Sequence, residues 1–227
     1  TAAFDGNGTF TGDIGNATVT VDNGVTMTLT AAKADGKTIN EAVGEDATVA
    51  VTALHSTLGA DLSAITTNAV TAAFDGSGTF TGDLGTATVT VADGQTMTTS
   101  GTIAENKTIN KAGTGALAVT VGSGDAGVDL TSIGGTALSS VTVNGSVTFS
   151  GTLDDAVSTT LADGSTFTTT AAIADGKTIA DGTDTATVNI TALHSTLGAD
   201  LSGVDANTVT AAFDGNGTFT GDIGNAT

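Results

Sequence analysis

His55 and His194 are the only histidines in the chain, and each sits inside the same twelve residues, TALHSTLGADLS, at 52–63 and 191–202. Ser56 and Ser195 follow them directly, and Asp61 and Asp200 lie six positions on. Ser, His and Asp are the residue types of a hydrolytic relay, which needs the serine hydroxyl and the imidazole to converge. Neighbouring side chains on a strand point to opposite faces, and the middle third of the chain has no histidine. The pattern therefore reads as a duplicated surface or turn histidine, and no enzyme is expected. A metal held by one histidine per copy would need further ligands from neighbouring segments.

Oxygen ligation is the other candidate chemistry. Asp5-Gly6-Asn7-Gly8-Thr9 opens like a calcium loop, with side-chain oxygens at alternate positions. A full twelve-residue loop wants a glutamate at its last position, where this chain has Asn16. The candidate is thus a looser calcium cage from Asp5, Asn7 and Asp13, repeated at Asp75 and Asp83 and again at Asp214 and Asp222. The competing reading is turn chemistry on a solvated acidic face, with no cofactor required. Lys37, Lys107 and Lys177 recur every 70 residues in ADGKTI, AENKTI and ADGKTI. They are expected either to pair with an acidic stripe on a neighbouring fibre or to discourage edge-to-edge aggregation. Asn7, Asn16, Asn106, Asn144 and Asn189 each head an Asn-x-Ser/Thr triplet, a glycan acceptor pattern that a Thr-rich chain also produces by chance.

Composition narrows the partners. The 24 acids stand against five lysines, a formal net charge of −19, and this opposes nucleic-acid binding, which needs clustered cations. No apolar run approaches the ~20 residues of a spanning helix, and no basic amphipathic stretch suggests insertion in a membrane surface. Cysteine, proline, tryptophan and tyrosine are absent. There is accordingly no disulfide framework and no large aromatic platform for sugar stacking. Acidic, Thr- and Gly-rich composition with few lysines leads us to expect an extracellular or cell-surface protein.

The elements that position these residues come from repetition. TAAFDGNGTFTGDIGNAT occupies 1–18 and returns unchanged at 210–227. A near copy, TAAFDGSGTFTGDLGTAT, occupies 71–88, and a decayed one is read from Thr142. The chain is one continuous array, 1–227, of modules 1–70, 71–141, 142–209 and a partial 210–227, with a higher period of 209 residues. Both ends carry the same phrase and neither is an atypical capping unit, so the chain is expected to be a segment of a longer one.

Within a module, Thr alternates with Val, Met, Leu or Phe, as in Thr18-Val19-Thr20-Val21 and Thr26-Met27-Thr28-Leu29-Thr30. Period-two alternation predicts half-buried strands, with Val19, Val21, Met27 and Leu29 inward and the Thr row outward. Nine of the twelve Asp-Gly or Asn-Gly pairs, from Asp5-Gly6 to Asp214-Gly215 and leaving aside Asn7-Gly8, Asp181-Gly182 and Asn216-Gly217, predict the corners. No stretch carries a convincing helical period, and Ala171–Ala174 is too short for one. Two all-β architectures fit: a β-solenoid of stacked parallel rungs, about three per ~70-residue module, or tandem small β-sandwiches. Sandwich domains of immunoglobulin type take ~100 residues around a large buried aromatic. The shorter modules, without linkers, favour the solenoid.

Sentences such as TVTVADGQTMT (88–98) and ADLSAI (60–65) resemble the β-strand repeats of large bacterial surface and extracellular proteins, adhesin-like or surface-layer-like. The resemblance is compositional and covers the whole chain. It implies secretion, great length and a mechanical or adhesive role, and it brings no catalytic residues. The expected function is a structural fibre, sheath or surface-layer component built from self-stacking repeats. Its expected partner is itself, through further repeats or through head-to-tail or lateral assembly. The alternative is an adhesin stalk or binding module that depends on calcium or on cell-surface glycans.

Overall fold

A computed structural model describes residues 1–44, 46–182 and 185–227. Strands of two to six residues run parallel to one another in four ladders, and the helices are single turns. The fold is an all-β, stacked parallel-strand solenoid. It divides into two compact units, 1–99 with 106–117 and 134–137, and 100–105 with 118–133 and 138–227.

In the first unit one ladder is made of Ala2–Phe4, Val19–Val21, Ile39–Glu41 and Ile65–Thr66. Ala2 pairs with Val19, Val19 with Ile39 and Ile39 with Ile65, so successive coils take 17, 20 and 26 residues. A second ladder runs Gly8–Thr9, Thr26–Thr30, Thr48–Thr52, Ala69–Phe74, Thr88–Val91, Thr108–Lys111 and Gly134–Gly135. In the second unit, Leu138–Val143, Thr159–Leu161, Ile179–Asp181 and Val204–Asp205 pair in turn, and Ser146–Thr148, Thr166–Thr170, Thr187–Thr191 and Thr208–Ala211 form the neighbouring ladder. Every strand hydrogen-bonds along both edges except the outermost, which is why so many short strands persist without hairpins.

Register shows how the modules are joined. The strand Ala69–Phe74 pairs through 69–72 with the coil before it and through 71–74 with the coil after it. Ala2 of the first phrase lies in the first ladder, whereas Ala72 of the second phrase lies in the second ladder. The phrase has therefore moved over by one side of the coil. The second unit repeats the move: Val141 pairs with Thr159 in one ladder, and Ala211 pairs with Ile190 in the next. A module is three coils plus a seven-residue step, Ile65 to Ala72 or Val204 to Ala211. Register also moves the start of the third phrase. Val141 stands where Ala2 and Ala72 stand, so that copy begins at Ser140, not Thr142, and the phrases are 70, 69 and 70 residues apart.

The inward set follows the alternation. Val19, Val21, Met27 and Leu29 are buried, as are Val89, Val91 and Met97 at the matching positions of the next module. At two inward positions the later modules carry Thr where the first has Leu29. Thr99 and Thr169 are buried and donate their hydroxyls to the carbonyls of Phe80 and Phe149, one coil back, at 2.9 and 3.2 Å. A buried hydroxyl needs such a partner, and the preceding strand end supplies it. Phe149 and Phe167 stack across coils with ring centres 5.7 Å apart.

The expectation of no helix is corrected on a small scale. Three one-turn helices, α1 (Ala31–Ala34), α2 (Gly101–Ala104) and α3 (Ala171–Ala174), follow the strands ending at Thr30, Ser100 and Thr170. Each buries two small residues, Ala31 and Ala34 in α1, and then reaches a left-handed residue: Gly36, Asn106 and Gly176. Asn is the residue that best tolerates that conformation after Gly, and this accounts for AENK standing where the other modules have ADGK. Six of the nine Asx-Gly corners take positive φ, Gly24 and Gly94 among them, whereas Gly6, Gly76 and Gly215 of the phrase do not.

Candidate functional site: the stacked corners

The strand Thr48–Thr52 ends at Ala53, which adopts the left-handed conformation (φ 56°, ψ 40°). That turn throws Leu54–Ser56 into a single 3₁₀ turn, with Leu54 inward and His55 outward. His55 Nδ1 lies 2.5 Å from Asp75 Oδ1, one coil on, and its Nε2 lies 3.3 Å from Ser56 Oγ. The duplicate at Ala192–Ser195 is built the same way. His194 Nδ1 meets Asp214, and its Nε2 lies 3.1 Å from Ser195 Oγ. The imidazole rings lie against Gly76 and Gly215, where a Cβ would stand 2.5 Å from ring carbon. This close approach, and no backbone requirement, is what demands glycine at those two corners.

Two points of the sequence reading change here. Ser56 and His55 sit on a 3₁₀ turn and not on a strand, and the hydroxyl folds back to within 3.3 Å of Nε2, so they converge after all. The partner acid is Asp75 or Asp214, twenty residues downstream. Asp61 and Asp200 instead accept from Ser63 and Ser202 two positions on, at 2.9 and 3.0 Å. Twenty residues is one coil, the only spacing that would have revealed the pair. The order carboxylate, Nδ1, Nε2, hydroxyl is that of a serine relay. A relay gains its strength from a water-excluded site with donors for a developing oxyanion. Here the His55 and Asp75 side chains are 36% and 46% exposed, and those of His194 and Asp214 are 34% and 61% exposed. Open to water, the pair's chemistry is that of a charge-assisted tie between successive coils.

The proposed calcium residues are dispersed among similar ties. Asn7 Oδ1 accepts the Thr26 N–H at 2.7 Å. Asp13, Asp83 and Asp222 each accept the N–H of the glycine two positions on, Gly15, Gly85 and Gly224, at 2.8 Å. Asp75 and Asp214 are taken up by the histidines, and Asp5 is an exposed corner residue. Among the described residues, no three His, Cys, Asp or Glu side chains come together in a group that could hold a metal ion.

These acids belong to a longer column of corner carboxylates. Asp61 pairs with Asp83, Asp129 with Thr152 and Asp200 with Asp222 as isolated parallel bridges between coils. From the coil before, Asp35, Glu105 and Asp175 accept the N–H groups of Asp61, Asp129 and Asp200 at 2.9, 2.9 and 2.7 Å. Hydrogen bonds to the ionised form lower a carboxyl pKa. Asp61, Asp129 and Asp200 are all held below the ordinary value, chiefly by the hydroxyls of Ser63, Thr131 and Ser202. Asp13 is lowered mainly by the Gly15 N–H, and Asp93 mainly by the N–H and hydroxyl of Thr114.

The lysine column also turns inward on its own molecule. Lys37 Nζ donates to the Gly15 carbonyl at 2.9 Å and Lys107 Nζ to the Gly85 carbonyl at 2.6 Å. Lys177 pairs with Asp155. Each reaches 22 residues back, to the corner of the preceding coil. Asn189 is likewise engaged, accepting from Thr210 at 2.8 Å. No family model, no curated protein and no solved structure matches this chain.

Proposed function

We propose that this chain is a structural component of an extracellular fibre, sheath or surface layer, built from self-stacking β repeats. One observation carries the reading. The side chains best equipped for chemistry, His55, Asp75, Lys37, Lys107 and Asp35, tie one coil to the next. Polar groups used this way add stiffness along the stack. Length then comes from repeat number, because each parallel edge templates its neighbour. The excess of acid keeps a long body soluble by self-repulsion. An extracellular location agrees with the acidic, Thr- and Gly-rich composition and the low lysine content.

Electron microscopy of the native material, with and without a calcium chelator, tests this. Thin filaments or sheets with a regular axial repeat that survive chelation are expected. Filaments that dissolve on chelation would transfer the assembly to bound calcium. Dispersed particles in both conditions would remove the structural role.

A further inference from the structure

We infer that Asn23-Gly24 is a self-modification site, at which the folded chain converts Asn23 to aspartate or isoaspartate through a succinimide. The chemistry needs no partner and does not depend on the role proposed above.

Asparagine followed by glycine is the pair best suited to this ring closure, because glycine has no Cβ to obstruct it. Four such pairs occur, at Asn7, Asn23, Asn144 and Asn216. Asn23 and Asn144 make a matched comparison. Both are exposed at a corner, and the glycine that follows each is left-handed, with φ 74° at Gly24 and 79° at Gly145. A Cβ at either glycine would meet nothing within 4 Å, so both corners are sterically open. Among the described residues, nothing hydrogen-bonds either carboxamide.

The two corners differ at the glycine nitrogen, which is the attacking atom. Gly145 N–H donates to Ser165 Oγ, one coil on, at 3.0 Å. The same device holds two corners that carry aspartate. Gly94 N–H donates to Thr114 Oγ1 at 3.1 Å, and Gly164 N–H donates to Thr185 Oγ1 at 2.9 Å. Thr114 and Thr185 stand two residues before Ala116 and Thr187, whose N–H groups donate to the Gln95 and Ser165 carbonyls at 2.9 Å. The corresponding bond in the first module runs from Thr48 N–H to the Val25 carbonyl, also at 2.9 Å. The residue two before Thr48 is Asp46, which is exposed and carries no hydroxyl. Among the described residues, nothing accepts the Gly24 N–H.

The reaction balances with water alone. The Gly24 nitrogen gives up its proton and bonds to Asn23 Cγ. The Cγ–Nδ2 bond breaks, and ammonia leaves with that proton. Water then opens the ring at either carbonyl. Opening at Cγ leaves aspartate, the residue that already stands at this corner as Asp93 and Asp163. Opening at the backbone carbonyl leaves isoaspartate, which routes the chain through the side chain and lengthens the corner by one methylene. A hydrogen bond on the glycine N–H opposes both the loss of its proton and the turn of the nitrogen toward Cγ. One such bond is worth up to about tenfold in rate.

Incubation of the 227-residue chain at mildly alkaline pH is the test, with peptide mapping by mass spectrometry and ammonia release followed alongside. In the folded protein Asn23 should convert about tenfold faster than Asn144. In urea, where the corner hydrogen bonds are gone, the two rates should converge. Ser165→Ala frees the Gly145 N–H and should raise the Asn144 rate toward that of Asn23. Ser165 is buried, so this variant is read only if it keeps the wild-type melting curve; otherwise the wild-type comparison decides alone. Equal rates in the folded chain, a faster Asn144, or a gap that persists in urea overturns the inference. So does an unchanged Asn144 rate in a Ser165→Ala form that melts like the wild type.

Discussion

A single glycine shows how position in the stack, and not residue type, sets what a residue does. Gly12, Gly82, Gly151 and Gly221 occupy the same place in four copies of the phrase. A Cβ at Gly82 would overlap the Ala60 carbonyl oxygen; at Gly151 it would meet Val128, and at Gly221 Ala199, in the same way. At Gly12 a Cβ would meet only the Phe10 ring, whose tip is 3.0 Å away. Forcing atoms into a filled site costs about 1–3 kcal/mol. Replacing glycine where the backbone is permissive gains roughly 0.4–1 kcal/mol by restricting the unfolded chain. Gly82→Ala is therefore expected to destabilise by about 1–3 kcal/mol, whereas Gly12→Ala leaves stability unchanged or slightly raised. Urea denaturation of the two variants checks it. Equal losses at both sites would mean that the coil beneath Gly82 does not press on it.

At the scale of elements, the strands and most corners were legible because their cause is local. Alternation of Thr with Val and Met fixes which side chains turn in, and Asp-Gly before a lysine marks a left-handed corner. What was not legible depends on the coil length, a non-local quantity. His55 finds Asp75 only once the coil is known to be about twenty residues long. The decayed phrase offered Thr142 as an anchor, but backbone pairing of Val141 with Thr159 sets the true phase two residues earlier. The helical turns α1 to α3 escaped because four residues carry no period, and two small buried side chains are enough to dock them. Energetics at this scale follow burial between coils. Phe167 is fully buried against Phe149, and Phe213 is 41% exposed. Truncating a buried phenylalanine costs about 3–5 kcal/mol. Phe167→Ala should fall in that range and Phe213→Ala should cost well under it in the dilute monomer, as read by chemical denaturation. Similar losses would contradict the open outer face of the last coil.

At the scale of the whole molecule, acid acts on two things, the net charge and the hydrogen bonds of the corners. Most of the 24 acids contribute mainly to a net charge of −19 and to self-repulsion. Five, Asp13, Asp61, Asp93, Asp129 and Asp200, have pKa values lowered by hydrogen bonds at the corners. A depressed folded pKa contributes stability that is present above the unfolded value, about 3.9 for aspartate, and is lost as pH falls through the folded value. The net charge vanishes as the solution approaches the isoelectric region near 4.1, while these five carboxylates, held below their ordinary value, keep their corner bonds to lower pH. Repulsion should therefore vanish before the corners loosen. Light scattering followed alongside circular dichroism during an acid titration should show association setting in around pH 4 with the β signal intact, and loss of that signal only at lower pH. Raising salt at neutral pH should reproduce the first event without the second, since screening acts on exposed charges over about 10 Å at 0.1 M and leaves short hydrogen bonds in place. A β signal that collapses before any scattering appears would mean that the acidic exterior, and not the corner ties, sets the acid limit of the stack.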